Sequence, residues 1–147
     1  MSLISTLVKK PSNLTTASKF HKFCGLFYLQ LGLGLVLRPD VVQVFFRDRA
    51  FEADESGLIR AIGLTVAVIG WHYYFGARTG GEQVVAAGVI DRLIFVPLVC
   101  LPLAFAGVFP HLFICFTLLD VGLAIVAWTL LRSEASSQSF GSAGRAV

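Results

Sequence analysis

The chain has 147 residues, 56% of them hydrophobic and 14% charged, with a mean hydropathy of +0.77, against about 45–50% apolar and about 25% charged for an ordinary soluble domain. One domain suits this length, and a soluble core so small leaves too much surface exposed to hide such apolar content, so the solvent is lipid and a soluble globular enzyme is excluded. The net charge of +3 is modest and comes with no nucleic-acid-reading motif, which removes nucleic acid as a partner.

Residues 1–19 form a basic flank carrying Lys9, Lys10 and Lys19, with Lys22 just beyond and no acid before Asp40. The stretch MSLISTLVKKPSNLTTASKF is rich in Ser and Thr, as transit peptides are, yet it has Lys in place of Arg and lacks the apolar run of a secretory signal. A positively charged membrane flank and a mitochondrial address both fit it.

Residues 20–132 form the membrane domain, because a transmembrane helix needs roughly 20 mostly apolar residues and four such runs follow. The first runs from Phe20 to Leu37 and stops at Arg38-Pro39, since the residue before proline is pushed out of the helical region. Asp40 to Arg47 is too short to cross and reads as an interfacial turn of helix. The mixed-charge stretch RDRAFEADESG reads as a solvated loop. The second run spans Leu58 to Arg78 and the third Val84 to Phe109, with Leu93 as an alternative start and kinks expected at Pro97 and Pro102. The fourth runs from His111 to Leu131, and residues 133–147 are small and polar, the composition of an unstructured tail.

These elements give an all-α fold, an integral membrane four-helix up-down bundle with short connections. Lys9, Lys10, Lys19, Lys22, Arg78, Arg132 and Arg145 fall on the side of the termini, against Arg38, Arg47 and Arg49 on the other with Arg60 at its border, which puts both termini inside. Trp71, Tyr73, Tyr74 and Trp128 lie toward the inner ends of their spans, as an aromatic belt does. A bacterial plasma membrane and an organellar one, such as the mitochondrial inner membrane, both suit this pattern.

Asp120 is the chemically informative residue. A mid-bilayer Asp costs about 2.5–3.5 kcal/mol to insert, which the surrounding Leu, Ile, Phe and Val offset at about 0.3–0.6 kcal/mol each. Thr117, Asp120, Ala124 and Ala127 share one helical face of small residues, so Asp120 faces the bundle. Arg92 in the third span is its expected partner, either as an ion pair fixing helix register or as part of a proton or ligand site. Neighbours on a helix differ by about 100°, so at most one of Asp91 and Arg92 points squarely at Asp120. His72, Tyr73, Tyr74 and Gln30 complete the candidate intramembrane polar site, Gln30 as an interhelical hydrogen-bond donor. The stripes Gly25, Gly32, Gly34 and Gly63, Ala67, Gly70 read as close-packing faces.

No cofactor is expected. His72 and His111 are too far apart in depth to be axial ligands of one haem, and His21 is poorly placed near the inner surface. Cys24, Cys100 and Cys115 have no metal-ligand or disulfide spacing.

Arg60 and Gly63, then Gly70-Trp71-x-Tyr73-Tyr74-x-x-Ala77-Arg78, then Arg92, and Asp120 followed by Trp128, form a pattern that resembles small bacterial four-helix membrane proteins of the DoxX or BphX type. The resemblance covers about Lys22 to Arg132 and implies a fold without a substrate. Two function classes follow. The first is an accessory or structural subunit of a larger membrane complex, locked internally by Arg92 and Asp120, with the bilayer and other membrane subunits or a second copy as partners. The second is an autonomous small transporter or membrane enzyme for a proton-coupled or lipophilic substrate. The first is preferred because no segment outside the bilayer is large enough to do chemistry.

Overall fold

The computed structural model describes residues 14–79 and 81–143, with side chains through residue 136. The described residues are all-helical: α1 (Thr16–Leu37), α2 (Val41–Phe46), α3 (Glu55–Ala77), α4 (Glu82–Ile90), a π-helical turn (Asp91–Phe95), α5 (Val96–Phe105) and α6 (Pro110–Ala143). Four stretches are long and apolar enough to cross a membrane: α1, α3, Glu82–Phe105 and Pro110–Ser136. At most 33% of the most apolar window in any of them is buried. Phe23, Leu37, Leu64, Leu98, Phe105 and Leu118 all point outward. Apolar side chains on the outside require an apolar solvent.

α1 starts earlier than the hydropathy implies because its first turn is capped twice. Thr15 Oγ1 accepts from the Ser18 N–H at 3.2 Å, and Glu134 Oε1 from the Ala17 N–H at 2.9 Å. Both satisfy N–H groups that a helix start leaves orphaned, and the carboxylate also complements the positive end of the helix dipole. The boundary expected between residues 19 and 20 therefore moves back to Thr16, while Lys9, Lys10 and most of the basic flank lie outside the described residues. At the other end Pro39 stops the helix as expected, and Arg60 Nη1 donates to the Val36 carbonyl at 2.5 Å.

α1 and α3 pack through glycine. A Cβ added to Gly63 would lie 2.7 Å from Leu35 Cβ and 2.8 Å from the Gly32 carbonyl oxygen, and one on Gly70 would lie 2.7 Å from the Gly25 carbonyl oxygen. The backbones are thus in direct contact, and the pairs 25/70 and 32/63 make the two helices antiparallel. Gly34, expected in the same seam, faces open space, because four-residue steps from Gly25 and Gly32 do not reach it.

The third apolar stretch begins at Glu82, so Asp91 and Arg92 lie inside it. Its α geometry is interrupted between Asp91 and Phe95, where the Val96 N–H bonds the Asp91 carbonyl five residues back. Pro97 follows immediately. A proline ring displaces the carbonyl four residues earlier, here that of Leu93, and a π turn absorbs the displacement.

One expectation fails. The mixed-charge loop is not wholly solvated: Asp48 is 8% exposed and caps α6, accepting from the His111 N–H at 3.1 Å and the Leu112 N–H at 2.9 Å, with His111 Nδ1 at 2.8 Å. A loop carboxylate satisfies a helix start that lacks its own polar cap, since Phe109 precedes Pro110. α6 runs on to Ala143, and residues 144–147 of the polar tail lie outside the described residues.

Candidate functional site

His21, Cys24 and Tyr28 follow one another at spacings of three and four, so they share a face of α1, and that face is buried. Tyr73 of α3, Gly88 of α4, Asp91 and Arg92 of the π turn, and Phe116, Thr117 and Asp120 of α6 close around it. The His21 and Tyr73 ring centroids are 4.5 Å apart. Tyr28 makes edge contacts with Tyr73 at 5.9 Å and Phe116 at 6.4 Å. The Arg92 guanidinium lies 4.5 Å from the Tyr73 ring and 5.3 Å from the Tyr28 ring. Cys24 is close enough to feel both Arg92 and Asp120. Gly88 is required by His21: a Cβ there would sit 3.2 Å from His21 Nε2 and closer still to the neighbouring ring carbon.

The cluster is built but not satisfied. Tyr73 O–H donates to Asp91 Oδ2 at 2.5 Å, and Thr117 Oγ1 donates to the Phe113 carbonyl at 2.9 Å. Both His21 ring nitrogens, the Tyr28 hydroxyl, all three Arg92 side-chain nitrogens and Asp120 Oδ1 have no hydrogen-bond partner. These side chains are no more than 3% exposed. Each buried unsatisfied polar group costs about 1–3 kcal/mol, more when charged. Cation–π contact returns about 2 kcal/mol when desolvated, less than the several kcal/mol of desolvating a guanidinium.

The sequence-derived site is partly reassembled. Asp120 is buried on the face shared with Thr117, Ala124 and Ala127, as expected. Arg92 is buried too, but it forms no ion pair with Asp120 among the described residues. Its guanidinium is drawn between two tyrosine rings instead, and the π turn sets its direction. Asp91 accepts the hydrogen bond from the Tyr73 hydroxyl. His72 and Gln30 are exposed on outer helix faces, so Gln30 is not an interhelical donor within this chain. Tyr74 is only partly buried and lies at the rim, with Lys22 Nζ 5.2 Å from its ring.

His21, Cys24, Tyr28 and Gly88 are absent from the sequence-derived set. The polar spacing of His21, Cys24 and Tyr28 was the available signal, since three such residues on one face of an apolar helix must face protein. Among the described residues no group of three or more His, Cys, Asp or Glu could hold a metal ion. A groove of about 400 Å³ is lined by Val84, Ala87 and Gly88 together with Tyr73, Asp91 and the exposed His72 and Gln83. It ends against the cluster, since His21 lies directly behind Gly88. No protein-family model, curated protein or solved structure matches this chain.

Proposed function

We propose that this chain is an integral membrane four-helix up-down bundle of the DoxX or BphX type, with both termini on the inner side, that acts as an autonomous small transporter or membrane enzyme for a lipophilic or proton-coupled substrate. The observation that carries this reading is the set of fully buried, partnerless groups on His21, Tyr28, Arg92 and Asp120. The accessory-subunit reading with an internal Arg92–Asp120 lock has less support, since no ion pair joins those two side chains among the described residues. Intramembrane ionisable residues with open valences mark substrate or proton pathways.

A second reading keeps the accessory role on different grounds. Gln30 is exposed midway along α1, and Gly34, one turn on, has open space around it. A polar side chain beside a bare glycine on a lipid-facing helix is a surface for another transmembrane helix, from a partner subunit or a second copy. Native mass spectrometry of protein extracted in mild detergent separates the two. Release as a monomer or small homo-oligomer is the expected result, and stoichiometric recovery within a larger hetero-assembly overturns the autonomous reading.

A further inference from the structure

We infer that the hollow between the start of α1 and the end of α3 binds the phosphate headgroup of an anionic glycerophospholipid. The hollow has a volume of about 420 Å³ and is lined by Leu14, Lys19, Lys22, Phe23, Leu26 and Tyr74. Counted from Lys19, the residues Lys22, Phe23 and Leu26 stand three, four and seven positions on, so the four form one stripe along α1. His21, Cys24 and Tyr28 lie on the buried face of the same helix. The hollow is thus separate from the buried cluster and stands or falls without it.

α1 and α3 run antiparallel, so the first turns of α1 and the last turns of α3 meet at one face of the membrane. Lys19 and Lys22 stand there at headgroup depth beside Tyr74, with Lys22 Nζ 5.2 Å from the Tyr74 ring. Seven residues of helix cover about 10 Å, which carries the stripe from Lys19 down to Leu26 among the acyl chains. Phe23 is 63% exposed and Leu26 44%.

Charge selects the ligand. Among the described residues no acid lines the hollow, and neither lysine forms an ion pair. Glu134, the carboxylate at the start of α1, accepts from the Ala17 N–H and is not in the lining. Residues three apart on a helix have Cβ atoms about 5–6 Å apart, a spacing that lets the two lysines share one phosphodiester. A basic pocket where helices leave the bilayer is the kind of site that holds an anionic lipid head. A free anion would use the lysines and leave Phe23 and Leu26 bare. A phospholipid carries its charge at one end and its chains below it, which is the order of the stripe.

The test is native mass spectrometry of the full-length protein in detergent, with phosphatidylglycerol and phosphatidylcholine of identical chains added in equal amounts. Phosphatidylglycerol should bind about 25-fold more tightly, from roughly fivefold for each lysine at a membrane surface. Lys19→Gln with Lys22→Gln should abolish that preference at an unchanged melting temperature, and Lys19→Arg with Lys22→Arg should keep it. Lys9→Gln with Lys10→Gln removes the same charge from the flank preceding α1 and should leave the preference in place. Equal binding of the two lipids, or equal loss in both glutamine pairs, overturns the site. Displacement of phosphatidylglycerol by millimolar inorganic phosphate overturns the lipid as occupant and assigns the hollow to a free anion.

Discussion

The glycine seam and the polar cluster use the same two helices, α1 and α3, to opposite ends. Along Gly25, Gly32, Gly63 and Gly70 the backbones touch and nothing is left open. One helical face over, His21, Tyr28 and Tyr73 set their rings around the Arg92 guanidinium, which forms no ion pair among the described residues. Helices in lipid associate by close packing, without a hydrophobic force between them. The seam is thus where this fold gains its strength, and the cluster is where it gives strength up. Separating the two lets a bundle carry an unsatisfied site without coming apart.

The largest expected effect breaks the seam. Gly63→Ala places a methyl against Leu35 Cβ and the Gly32 carbonyl, and it should cost about 3 kcal/mol, the upper end for overpacking where backbone must move. Thermal or denaturant unfolding in micelles measures this, and a loss well under 1 kcal/mol would show that the helices are not in backbone contact. Next comes the outer rim, where Asp48→Ala removes two backbone caps and the His111 contact from α6. A loss of about 2 kcal/mol is expected, as for a strong N-cap, with faster amide exchange confined to the first turn of α6.

Inside the cluster the sign should reverse. Asp120→Asn keeps the shape and replaces a buried carboxyl that no ion pair holds, so stability should hold or rise by about 1 kcal/mol. A marked loss, recovered when Arg92→Leu and Asp120→Leu are combined, would instead establish the direct lock. The smallest effect lies outside both regions. Hydrogen bonds from Arg38 hold the Asp40 carboxyl below its ordinary 3.8. A lowered carboxyl stabilises above its ordinary value and loses that contribution as pH falls through the lowered one. Both groups are exposed, so the acid-side change in melting temperature should be slight, and it should vanish in Arg38→Gln.

Much of this architecture was legible along the chain. The helix spans, the stop at Arg38-Pro39, the break near Pro97, the small-residue stripes and the inward face of Asp120 are all local in origin. They depend on the length of an apolar run, on proline's missing N–H and on helical spacing, which neighbours in sequence control. Three decisions were tertiary. Asp48 became buried only because α6 starts beside it, needing a cap. Arg92 turned to the tyrosines and not to Asp120 because the π turn reset its direction and the rings of α1 and α3 were there to receive it. His21 came to the centre because Gly88 on another helix leaves room for its ring. Each depends on a group supplied from a distant segment, and spacing along one helix carries no information about what the facing helix presents.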